Sequence, residues 1–90
     1  MSKTGAKTAT KIHRRDDVDP EEGLRRYGNV EFADPVNHKY PIDTEEHVRA
    51  AWSYIHHKDN AARYNKKELE LIKDRIESAA GEFGIELHAE

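Results

Sequence analysis

The chain has 90 residues, 18 of them acidic and 15 basic, for a net charge of −3 with His neutral. That length holds one domain at most, and the acidic balance opposes general affinity for phosphate backbones. With no cysteine, disulfides, thiolate zinc sites and Cys nucleophiles are excluded.

Charged residues make up 37 % of the chain against 36 % hydrophobic, so part of it is expected to lie outside a packed core. No apolar run approaches the roughly 18 residues of a membrane span. The basic N-terminus lacks the apolar stretch of a secretory signal. A cytoplasmic location is expected.

Residues 1–29 read as a charged, disordered arm. Lys3, Lys7, Lys11, Arg14 and Arg15 come first without an acid, and Asp16, Asp17, Asp19, Glu21 and Glu22 follow. Neither block repeats apolar residues, so neither buries enough area to offset its ordering entropy. Leu24 and Tyr27 are candidates for a short docked turn. Residues 30–88 then form the expected domain. Val30 and Phe32 alternate with Glu31 and Ala33, a short strand signal. Pro35 and Pro41 keep the following stretch extended.

A first helix is expected over about 44–57. Asp43 is the predicted N-cap, with Glu46 closing a capping box. Val48, Ala51, Trp52 and Ile55 recur at i, i+3, i+4 and i+7, a stripe about 100° wide. Lys58 to Tyr64 makes a short connection, with Asn60 suited to a left-handed stop. A second helix spans 66–83. Asn65 caps it, Glu68 closes the box, and Gly84 ends it in a left-handed conformation with Ile85 turned back on Ala80. Leu69, Ile72, Ile76, Ala79, Ala80 and Phe83 supply its apolar face. Short connections join antiparallel neighbours. The fold class is therefore mainly α: a helical hairpin around Trp52, covered by an extended lid anchored by Phe32, Tyr40 and Ile42. The alternation of Ile85 and Leu87 also predicts a two-stranded pairing of 30–33 with 85–88.

The helix around Trp52 carries His47, His56 and His57. At about 100° per residue these point in three directions and cannot converge on one ion. No metal or cofactor is expected. Ser53 and His57 can touch on the helix surface, but in water and without oxyanion donors they make no nucleophile. No phosphate-binding glycine loop or H-E-x-x-H pattern is present. The expectation is a non-enzymatic module. Its candidate groove or partner surface comprises His38 in the preceding loop, His47 and Arg49 beside the apolar stripe, and Tyr54, Leu71 and the neighbouring Arg75 away from the stripes.

Two stretches, "EFADPVNHKYPIDTEEHVRAAWSYI" and "NAARYNKKELELIKDRIESAAGEFGIEL", resemble a small uncharacterised bacterial and phage domain family. The likeness rests on F-A-x-P, on K-Y-P-I-x-x-x-x-H-V-R-x-A and on a second helix ending A-A-x-x-x-G-I. Phe32, Tyr40, Pro41, Ile42, His47, Val48 and Arg49 carry it. The resemblance implies no activity and assigns no catalytic residue, and its occurrence with phage proteins implies an assembly or adaptor role. The function expected is protein interaction, with an unknown partner or a second copy. The alternative is nucleic-acid association through Lys3 to Arg15, aided by Lys66, Lys67 and Lys73. Residues 30–90 oppose it, with eight Lys/Arg against thirteen Asp/Glu.

Overall fold

A computed structural model describes residues 12–87. Among the described residues, four helices and one β-hairpin follow in order: α1 (Pro20–Tyr27), β1 (Phe32–Asp34), β2 (Lys39–Pro41), α2 (Glu45–Ile55), the single turn α3 (Lys58–Ala61) and α4 (Lys66–Phe83). α2 packs on α4, β2 lies against α2, β1 lies against α4, and α1 rests on β2. The mainly α hairpin with an extended cover is thus present.

The local chemistry explains each boundary. At α4, the Asn65 side chain accepts from the Glu68 amide while Glu68 accepts from the Asn65 amide, both at 2.8 Å, which satisfies two donors that helix geometry leaves unpaired. Gly84 ends α4 at φ 72°, where a side chain would be strained, and the Ile85 amide donates to Ala80. α2 begins one residue later than expected. Thr44 is its N-cap and accepts from the His47 amide at 3.0 Å, because Asp43 instead accepts from the His47 ring. Asn60 takes no left-handed conformation. It lies within α3, where its side-chain amide donates to the Tyr54 carbonyl at 2.8 Å.

Val48, Ala51, Trp52 and Ile55 of α2 meet Ile72, Ile76, Ala79 and Ala80 of α4 in one core. Burying a Val- or Ile-sized side chain contributes roughly 1.5–3 kcal/mol, so this seam stabilises the domain. Tyr40 and Ile42 close it as expected, and Phe32 is buried beside it. Phe83 does not join; it is 39 % exposed.

Two expectations are corrected. Val30–Ala33 does not pair with 85–88. β1 pairs antiparallel with β2, Phe32 opposite Pro41 and Asp34 opposite Lys39. Residues 85–87 form no strand, and Ile85 and Leu87 pack on the core from the C-terminal cap instead; residue 88 lies outside the described residues. The reason lies in the Asp-Pro turn. Asp34 Oδ1 accepts from the amides of Val36 and Asn37 at 3.1 and 3.0 Å, and His38 adopts φ 56°. This side-chain-templated reversal folds β2 back on β1 with four residues, 35–38, between the strands.

The second correction concerns 1–29. Residues 1–11 lie outside the described residues, but 12–29 do not form a loose arm. Ile12 is 4 % exposed within the core cluster, Arg15 is buried, and 20–27 is helix. Asp19 caps α1, accepting from the Glu21 amide, with Pro20 in its first turn, acids early and Arg25 and Arg26 late. Gly23 is required where α1 crosses β2, since a Cβ there would overlap the His38 carbonyl oxygen.

Candidate functional site

Between α1 and β2 lies an open cleft of about 230 Å3. Tyr27, Tyr40, Pro41 and Tyr54 give it apolar walls. Asp17, Asp19, Glu22, Arg26 and Lys39 add charge of both signs to its lining. Tyr54 is 52 % exposed and Tyr27 36 %, so two rings stand at the mouth. The basic groups also lie on aromatic faces: the Arg26 guanidinium carbon is 5.6 Å from the Tyr27 ring centre, and Lys39 Nζ is 5.7 Å from that of Tyr40. Such contacts hold a cation over a ring face.

His38 and Tyr40, both lining this cleft, are the only described non-glycine residues with positive φ, 56° and 62°. For a bulky aromatic residue that conformation costs energy and persists only where the surroundings impose it. His38 Nδ1 lies 2.9 Å from the Pro20 carbonyl. A carbonyl only accepts, so Nδ1 carries the proton and ties β2 to the start of α1.

Behind the cleft is a buried polar network that sequence reasoning missed. Asp34 and Asn37 are fully buried. Asp34 Oδ2 accepts from the Tyr64 hydroxyl at 2.6 Å and from Asn37 Nδ2 at 2.9 Å. Arg15 donates from Nη1 to the Tyr64 oxygen at 3.0 Å and from Nε and Nη2 to the two oxygens of Asp17 at 3.0 and 2.6 Å. The Arg15 hydrogen bonds hold the Asp17 carboxyl down to about 2, against the small opposing effect of its desolvation. Burial raises the Tyr64 phenol, and the Asp34 carboxylate raises it further. Burial likewise raises Tyr40, partly offset by the nearby Arg15 and Tyr64; its hydroxyl finds no partner at hydrogen-bond geometry among the described residues. The signals were present: Asp19-Pro20 with flanking charges marked α1, and Asp34-Pro35 marked the turn. A buried Arg inside a charge run has no sequence signal of its own.

The residues expected to form a surface are dispersed. His38 and Tyr54 line the cleft. His47 sits apart from it, its Nδ1 2.6 Å from Asp43 and its ring edge-on to Tyr27 at 5.4 Å. Arg49 is exposed and lies 4.0 Å from Glu45 on its own helix. Arg75 donates from Nε and Nη2 to the Phe32 carbonyl at 3.2 and 3.0 Å, clamping β1 to α4, and borders a second shallow depression with Ile42 and Glu82. Leu71 packs partly against the core. Tyr54 and Arg75 border different depressions, and Leu71 borders neither.

Among the described residues no group of three His, Asp or Glu is placed to hold a metal ion, and no helix is long and apolar enough to cross a membrane. Comparison with curated proteins and with solved structures gives no match. A family model does match, over residues 8–90, and by it the chain belongs to DUF6582, a family of unknown function.

Proposed function

We propose that the protein is a small non-enzymatic interaction module, acting in the cytoplasm, that takes an anchor side chain of a partner protein into the cleft between α1 and β2. The observation that carries this reading is the pair of half-open tyrosines, Tyr27 and Tyr54, at the mouth of a cleft whose rim holds both charge signs. Aromatic residues beside a pocket are the groups that most often dominate binding energy at interfaces, and a mixed-charge rim sets orientation. At about 230 Å3 the cleft is below the size of a small-molecule site and admits one or two side chains. It is open to water, which favours docking over chemistry that needs water excluded. The strain at His38 and Tyr40 supports the same location, since strained backbone concentrates at binding sites.

The nucleic-acid alternative is weakened by one of its own cations. Arg15 is spent internally on Asp17 and Tyr64, leaving Arg14 as the exposed cation of that block among the described residues.

The test is co-purification with wild-type and Tyr54→Ala proteins, followed by calorimetry on any partner recovered. Tyr54 is mostly exposed, so its loss should change stability by no more than about 0.5 kcal/mol. Loss of a central aromatic should weaken binding by about 2 kcal/mol or more. A partner held equally well by both proteins would refute the cleft as the docking site.

A further inference from the structure

Residues 12–17 are held as a bound peptide would be. Asn37, fully buried, grips the segment by its main chain: its Nδ2 donates to the His13 carbonyl at 3.0 Å and its Oδ1 accepts from the Arg15 amide at 2.7 Å. One side-chain amide thus reads two peptide groups spaced like an extended strand, the two-point recognition by which domains bind segments in extended form. Two side chains then act as anchors. Ile12 enters the core cluster that holds Tyr40, Tyr64 and Ile72. Arg15 enters a polar socket floored by the Tyr64 hydroxyl, which is itself fixed by Asp34, and lies 5.1 Å from the Tyr64 ring centre. Between them, His13 and Arg14 are exposed. The His13 amide and ring Nδ1 lie 2.9 and 2.7 Å from Glu68 Oε2. The groove presents the acids Asp34 and Glu68, and the segment presents cations.

The partner side of these contacts is built without the segment. Asp34 is held by Val36, Asn37 and Tyr64, and Glu68 by the Asn65 cap. The groove is a preformed receptor for an extended Ile-x-x-Arg sequence, filled from its own chain. Asp16 and Asp17, exposed in the turn before α1, are the hinge.

We infer that this groove is a site for exchange between copies: residues 12–15 of a second copy of the chain occupy it when its own segment swings out about the Asp16–Asp17 turn. The second copy is the occupant because it carries the sequence already fitted to the groove, so exchange restores every contact without loss. It also reaches the cleft, because Asp17 both lines that cleft and holds Arg15. This inference concerns a surface separate from the cleft mouth at Tyr54.

The test uses full-length chains. Ile12→Ser with Arg15→Ala frees the segment and leaves the groove intact. A fluorescein-labelled peptide of residues 9–19 should bind this double variant saturably by anisotropy. Binding to wild type, whose groove is filled, should be at least about tenfold weaker. The same peptide with Ser and Ala at the Ile12 and Arg15 positions should not bind. A complementary chain, Asn37→Ala, keeps its segment and loses its grip. Mixed with the double variant, it should give a 1:1 heterodimer by sedimentation that neither chain gives alone. A double variant that is folded by circular dichroism but ignores the peptide, or binds both peptides alike, overturns the inference. Specific peptide binding with no heterodimer from a folded Asn37→Ala chain overturns the second copy as occupant. The peptide arm decides alone if Asn37→Ala does not fold.

Discussion

Asp34 offers the sharpest test of the buried network. Its carboxylate accepts four hydrogen bonds, from the Tyr64 hydroxyl, Asn37 Nδ2 and the amides of Val36 and Asn37. Asp34→Ala removes every acceptor. Asn37 Nδ2 retains the His13 carbonyl, and the partly buried Val36 amide can turn to water. The Asn37 amide and the Tyr64 hydroxyl are left buried and unpaired. At about 1–3 kcal/mol for each orphaned donor, with the Tyr64 hydroxyl that floors the Arg15 socket no longer fixed, the expected loss is about 3–5 kcal/mol. A 90-residue domain has roughly 5–13 kcal/mol in all, at about 0.05–0.15 kcal/mol per residue. The variant should therefore be near the edge of folding. Asp34→Asn keeps Oδ1 for the two amides but points an NH2 group at two donors, so it should lose about 1–3 kcal/mol. Urea titration followed by the fluorescence of Trp52, the only tryptophan, measures both. The reasoning is refuted if Asp34→Ala lies within about 1 kcal/mol of wild type, or if Asp34→Asn is the more damaging of the two.

Two tyrosines in contact should respond in opposite senses. Tyr64→Phe breaks bonds to Asp34 and Arg15 and should lose about 1–2 kcal/mol, whereas Tyr40→Phe removes an unpaired buried hydroxyl and should be neutral or stabilising by up to about 1 kcal/mol; equal losses in urea titration would contradict the geometry. Gly23→Ala drives a methyl group into the His38 carbonyl, so α1 must lift from β2. A melting temperature unchanged from wild type would show that α1 does not rest there. Stability should also fall at both extremes of pH. Burial opposes ionisation of Glu68, but hydrogen bonds from Asn65 and His13 outweigh it and hold its carboxyl below the ordinary 4.5. Its contribution is present above that value and fades as pH falls through the depressed one. Tyr40 and Tyr64 are raised above 10.0 by burial, so their contribution is complete below pH 10 and lost as the pH climbs higher. Phenolate absorbance from these two rings should appear together with unfolding, and its appearance in a chain still folded by circular dichroism would contradict their burial.

The two long helices, α2 and α4, were legible because their signals are local. Asn65, Glu68 and Gly84 each act within one helical turn, and the Val48 to Ile55 stripe follows from 3.6-residue periodicity. The hairpin of β1 and β2 was hidden because Tyr40 takes a backbone conformation foreign to its residue type, and no sequence rule assigns that to an aromatic side chain. Apolar alternation at Ile85 and Leu87 pointed to a strand, yet the Gly84 cap places the same residues against the core without a ladder. The N-terminal segment misled for a third reason. Block charge counts treat Arg15 as solvated, but its partners Asp17 and Tyr64 lie 2 and 49 positions away. Of the residues expected at a surface, His38 and Tyr54 line the cleft; the buried Asp34, Asn37 and Arg15 were not anticipated, because buried polar residues are recognised by their partners and not by type.

The bond between His13 and Glu68 spans 55 positions of sequence. α2 and α4, by contrast, are separated only by residues 56–65, which include the single turn α3. Loop closure grows costlier with separation, so contacts near in sequence form early and distant ones late. The helical pair is thus the natural folding nucleus, and the N-terminal clasp is the last piece to arrive. What fastens last governs escape more than entry. The seal at Ile12 and Arg15 sets how long a folded molecule survives, while the speed with which it forms is decided elsewhere, between the two long helices.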